Sequence, residues 1–182
     1  MRNPVGPMLV LVTVMLSGLG CASKEPVETF TPSRVTRGVG VRQEGPLAGY
    51  HRFTIDDIRL VTAPDVAMDP QAERQVIEQL RRELVVRLAD DYEVVAPPGA
   101  GVLRLGIRVL GVRPGPAFGL ADATMESLVT DSVTGQRLLT IRDRRSQRGY
   151  VDRSLVSDWE NARNVMQSWA DVVDKEIEGA SR

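Results

Sequence analysis

The chain has 182 residues, 42% of them apolar and 26% charged, a composition that suits one globular domain with appendages and excludes collagen-like, low-complexity or wholly disordered chains. A formal net charge of −1 gives no global field to attract nucleic acid or an anionic membrane face, so nucleic acid is not an expected partner. One cysteine cannot form an internal disulfide and one histidine cannot supply a multi-imidazole site, so neither a metal nor another cofactor is expected.

At the N-terminus, Arg2 precedes the uncharged run Met8–Leu16 (MLVLVTVML). Nine residues match a secretory h-region and fall far short of the roughly 20 needed to span a bilayer. The run leads into Gly18-Leu19-Gly20-Cys21, which resembles the lipobox of bacterial lipoprotein precursors. That resemblance implies a signal peptide over 1–20, lipidation of Cys21 by palmitate-type acyl chains, and anchoring in a membrane. Ala22 and Ser23 after the cysteine, with no Asp, are similar to enterobacterial signals for the periplasmic face of the outer membrane. The alternative is cleavage at the small-x-small pair Gly18 and Gly20, which leaves a soluble periplasmic or secreted protein with a free thiol.

Residues 21–48 hold three Pro, three Gly and several Ser and Thr without sustained periodicity, which reads as a lipid anchor site and flexible tether. Such a chain spans roughly 30 Å. Phe30, Val35, Val39 and Val41 are the residues in it able to dock on a domain.

A single domain is expected over 49–180. Its first strand is YHRFTIDDIRLV from Tyr50, with Asp56-Asp57 marking a bulge. Asp69 as N-cap and Pro70 at the first helical position open a helix whose apolar stripe runs through Val76, Ile77, Leu80, Leu84, Val85 and Leu88. The short strand in DDYEVV ends at Pro97-Pro98. In GVLRLGIRVLGVR, Leu103, Leu105, Ile107 and Val109 share one face, with Arg104, Gly106 and Arg108 opposite. A strand over Ala121–Val129 follows, with Asp122, Thr124 and Glu126 on one face; the turn DSVTGQ then joins it to RLLTIRD as a hairpin. Ser157 and Glu160 form a capping box, and the last helix carries Trp159, Ala162, Met166, Trp169, Val173 and Ile177 on one stripe. The order β-α-β-β-β-β-α predicts an α+β two-layer sandwich: a mainly antiparallel sheet of four to five strands with two helices on one face. Arg104 and Arg108 are expected near Asp122 and Glu126 on the other face, as a charge ladder or a partner surface.

PPGAGVLRLGIRV, DSVTGQRLLTIRDRR and VMQSWADVVDKEI, behind a lipobox and a strand-helix pair, resemble the bacterial lipoproteins grouped as domain of unknown function 3313. The resemblance spans about residues 45–178 and rests on structural motifs, so it implies fold and class and carries no catalytic residues.

The sequence has no Gly-x-Ser-x-Gly elbow, His-Glu-x-x-His, Ser-x-x-Lys, Walker A loop or Rossmann fingerprint, and the chain is read as not an enzyme. His51 reads as a structural imidazole. Asp131 and Asp143, expected near each other across the hairpin, form a carboxylate pair suited in principle to acid/base work, with turn capping as the plainer role. The loop RDRRSQR sets Arg142, Arg144, Arg145 and Arg148 close together, with Tyr150 and Arg153 nearby; guanidinium clusters hold phosphates and carboxylates bidentately. Phe118 stands in an apolar loop tip. The expected function is a lipid-anchored periplasmic module that binds or scaffolds an envelope protein. The alternatives are a binder of an anionic envelope ligand (lipid headgroup, lipopolysaccharide or peptidoglycan) through Arg142–Arg148 and, third, an unrecognised hydrolase.

Overall fold

A computed structural model describes residues 29–62, 68–94, 97–112, 123–144 and 158–182, with side chains from Ala162 onward in the last segment. In chain order the elements are β1 (Thr31–Pro32), β2 (Val39–Gln43), β3 (Arg52–Thr62), α1 (Pro70–Leu88), β4 (Glu93–Val94), β5 (Val102–Val112), β6 (Thr124–Asp131), β7 (Arg137–Arg144) and α2 (Asp158–Ser181). Among the described residues the strands form one seven-stranded sheet in the order β1-β2-β7-β6-β5-β3-β4. The fold class is α+β, as the element order predicts.

One detail of that expectation is corrected. The sheet has seven strands instead of four or five, because β1 and β2 come from the segment expected to be tether. Val39 through Gln43 pair antiparallel with Asp143 through Leu139, and Val39 is 3% exposed. Covering the outer edge of β7 and burying valine outweigh the glycine-rich composition of this stretch. The sheet is mainly antiparallel, as expected, with β3 parallel to both β4 and β5 and the other pairings antiparallel. Parallel neighbours need a crossover, and α1 lies between β3 and β5 in the chain.

Asp69 caps α1 by accepting a hydrogen bond from the Gln71 amide at 3.2 Å, with Pro70 at the first helical position. Four residues of its stripe are buried, Val76, Leu80, Leu84 and Leu88. Val85 stays 37% exposed at the stripe's edge. Two arginines on the charged side of this helix hold it in place. Arg81 donates to the carbonyls of Ile55 and Asp56 at 2.8 and 2.9 Å, and Arg87 pairs with Asp171 of α2 at 2.7 Å. The Ile55 and Asp56 carbonyls belong to a bulge: the β3–β5 register slips between Ile55 and Ile58, at the Asp56-Asp57 pair that the sequence marked. Along α2, Met166, Trp169, Ala170, Val173 and Ile177 are fully buried in the same core as the α1 stripe. Trp159 and the Ser157 capping box lie outside the described side chains. Among the described residues no helix is long and apolar enough to cross a membrane.

The β6–β7 turn is built by Asp131. Its Oδ1 accepts from the amides of Val133 (3.0 Å) and Thr134 (2.7 Å) and from the Thr134 hydroxyl (2.9 Å), and its Oδ2 accepts from the Tyr50 hydroxyl at 2.9 Å. Gly135 then supplies the left-handed residue, φ 70°, that returns the chain. Those donors, the Thr134 amide first, hold the Asp131 carboxyl down at about 2 from its ordinary 3.8. A depressed carboxyl adds stability above its unfolded pKa and loses it as pH falls through the folded value. Asp131→Asn is therefore expected to lower the melting temperature at neutral pH and to flatten the acid limb of stability between about pH 4 and pH 2. Thermal unfolding across that range is the check, and an unchanged acid limb would contradict the capping role.

Candidate functional site

Alternation along the central strands sends one set of side chains to the helices and leaves the other uncovered among the described residues. Leu103, Leu105, Ile107 and Val109 of β5 are buried, as are Met125, Ser127 and Val129 of β6. Their neighbours project from the opposite face. There the register aligns Arg59 of β3, Arg108 of β5, Glu126 of β6, Arg142 of β7 and Gly40 of β2 in one row across the sheet.

Glu126 sits between two cations. Its Oε2 accepts from Arg142 at 2.7 Å and its Oε1 faces Arg108 at 3.8 Å. The carboxylate side chain is 16% exposed while the arginines are 42% and 59% exposed, so the cations stand outward. Arg142 also lies over the Phe30 ring, 4.3 Å from its centroid, and Phe30 reaches this position because Gly40 presents no side chain beneath it. The expected ladder thus forms between Arg108 and Glu126. Arg104 instead pairs with Asp56 of the bulge at 3.6 Å, and Asp122 lies outside the described residues.

The second row runs Arg42, Thr140, Leu128, Gly106. Gly106 has ordinary strand geometry and open space where a side chain would go. It leaves a hollow on this face between Arg104 and Arg108. In all, Arg42, Arg59, Arg104, Arg108, Arg142 and Arg144 share the face with Asp56, Asp57, Glu126 and, at the rim, Glu44, an excess of positive charge. Exposed ion pairs of this kind contribute about 0–1 kcal/mol each, so their cations are cheaply shared with an incoming anion. Arg144 is exposed and makes no ion pair among the described residues.

The sequence-derived candidates are distributed as follows. Arg142 and Arg144 stand on this face. Cys21, Phe118, Arg145 and Arg148, like Tyr150 and Arg153, lie outside the described residues. His51 is exposed at the entry to β3, and its carbonyl accepts from the Glu93 amide at 2.9 Å. The Asp131–Asp143 pairing is corrected: Asp143 is opposite Met125, six positions along β6 from Asp131, which at 3.3–3.4 Å per residue is about 20 Å. Asp143 is 4% exposed and points to the helix side between Val39 and Met125, while Asp131 caps the turn. The two carboxylates cannot act on one substrate bond. Among the described residues no group of His, Cys, Asp and Glu is arranged to hold a metal.

Fold and face together define an α+β module with one sheet surface left open among the described residues. Residues 31–120 match the model of the family described as Protein of unknown function (DUF3313). The matched stretch runs from β1 through β5, so it contains the two strands that composition concealed and ends before the β6–β7 hairpin. No curated protein matches the chain. Among solved structures, it is similar to the PelC dodecamer from Paraburkholderia phytofirmans, with 16% identity, 74% of this chain and 96% of that one covered, and a TM-score of 0.43. It is also similar to a DUF4136 family protein from Bacteroides thetaiotaomicron, with 9% identity, coverage of 75% and 97%, and a TM-score of 0.39.

Proposed function

We propose that this chain is a non-enzymatic binding module of the bacterial envelope, held at the periplasmic face of the outer membrane through lipidated Cys21, which presents its uncovered sheet face to a partner protein with an acidic surface. The observation that carries this reading is the cross-strand arginine row. Side chains from four strands and Phe30 converge on a surface that neither described helix covers, its cations directed outward and its one central carboxylate half-withdrawn between them. Charge of this kind steers an acidic partner and fixes its register, while the Gly106 hollow and the aliphatic stems of Arg104 and Arg108 give it apolar surface to meet. The lipobox supports the address.

Gly106→Arg tests the reading. The free protein has room for the side chain and a strand-compatible backbone at this position, so its unfolding free energy is expected to stay within about 1 kcal/mol of the parent's. The partner loses access to the hollow. Its recovery from detergent-solubilised membranes is expected to drop by at least about tenfold, the effect of 1.4 kcal/mol or more at an interface centre. The second reading, an anionic lipid or glycan held by the arginines, is favoured by exposed Arg144 beside Arg142 on the same strand; recovery of such a ligand, and its loss on Arg144→Ala, would replace the protein partner.

A further inference from the structure

On the other side of the sheet, a cleft of about 400 Å³ opens between the β1–β2 turn and the last turns of α2, a size within the range of small-molecule sites. Its walls include Val35, Val41, Leu139 and Ala180, and Glu176 and Arg34 also line it. Glu176 is 4% exposed. One of its oxygens accepts from the Ser33 hydroxyl at 2.6 Å. That hydroxyl itself accepts from the Val35 and Thr36 amides at 2.9 and 3.0 Å, so its single proton is committed to Glu176. A carboxylate offers about four acceptor positions, and a buried one held by a single neutral donor is costly unless a cation joins it. Arg34 does not fill that role: it stands exposed at the rim and makes no ion pair with Glu176.

We propose that this cleft binds a small amphoteric aliphatic amine, its ammonium on Glu176, its hydrocarbon stem along Val41, Leu139 and Ala180, and its anionic group at Arg34. The site is separate from the sheet face and does not depend on that face having a partner. Each element of the ligand answers a group of the cleft: a buried acceptor short of donors, apolar walls, and an exposed guanidinium at the mouth.

The test titrates the full chain in detergent with ε-aminocaproate, with caproate lacking the amine, and with n-hexylamine lacking the carboxylate, while following the methyl resonances of Val41, Leu139 and Ala180. ε-Aminocaproate is expected to shift these methyls in a saturable way, n-hexylamine to do so more weakly, and caproate to leave them unmoved. In Glu176→Gln the amide oxygen still accepts from Ser33, so the melting temperature holds while affinity for both amines falls by at least about tenfold, the scale of one charge-assisted hydrogen bond. Arg34→Ala is expected to weaken ε-aminocaproate to the level of n-hexylamine and leave n-hexylamine unchanged. Equal binding of caproate, absence of saturable shifts with ε-aminocaproate, or unchanged amine binding in Glu176→Gln would overturn the proposal. The three-ligand comparison on the unaltered chain decides it even if the variant misfolds.

Discussion

Replacing Trp169 with alanine is expected to remove about 3–5 kcal/mol of stability, a large share of the roughly 5–15 kcal/mol typical of a domain. Trp169 is fully buried on α2, in one core with the α1 stripe and the inner rows of β5, β6 and β7. Alanine leaves a cavity there that a packed helix pair cannot collapse around. The indole Nε1 is buried without a hydrogen-bond partner among the described residues, so Trp169→Phe is expected to cost clearly less than its lost volume alone implies, since it also removes an unpaired donor. Urea unfolding measures both: the midpoint shifts, with the slope unchanged if the denatured state is the same. A loss below about 1 kcal/mol for Trp169→Ala would place the residue outside the cooperative core.

Starting the chain at Glu44 instead of Thr29 is the second large effect. It deletes β1 and β2 and with them five paired positions on β7. The outer edge of β7 is then bare, and Ile141 and Leu139, 0% and 2% exposed in the intact fold, lose the neighbours on that side. Ser33 goes as well, stripping Glu176 of its donor. An uncovered hydrophobic edge invites strand-to-strand association, so the shorter chain is expected to elute as aggregate and to lose its sharp thermal transition, while the chain from Thr29 stays monodisperse or in its native assembly. Equal melting temperatures for the two would mean that the N-terminal strands are ornament on a complete domain.

These two variants also mark where the sequence is informative and where it is mute. Trp169 sits on a stripe that repeats at helical spacing over several turns, and β5 alternates leucine and isoleucine with arginine and glycine; strong local periods of this kind survive into the fold. The Asp56-Asp57 bulge was legible because two adjacent carboxylates interrupt an otherwise alternating strand. The Val39-Gly40-Val41 stretch was not. Its two valines are too few to set a period, and it becomes a strand only because β7 offers a free edge far away in the sequence, which is tertiary context that no local pattern contains. The parallel pairing of β3 with β5 was hidden for the same reason, although a helix between two strands is a signal for it. At the sites, the arginine and glutamate alternation of β5 and β6 announced the open face. The buried Glu176 escaped notice although it lies seven residues after Trp169, two helical turns along the same side. An acidic residue at a core-facing helical position is the signal that would have found it.

The measurement that tests the open sheet face most directly is cross-linking in intact cells followed by purification from detergent-solubilised membranes, run in parallel for the parent chain and for Gly106→Arg. If the arginine-lined face binds an envelope protein, one discrete protein is recovered with the parent and lost with Gly106→Arg, at equal expression and equal melting temperature. Recovery of the same proteins with both chains would contradict a partner seated on this face.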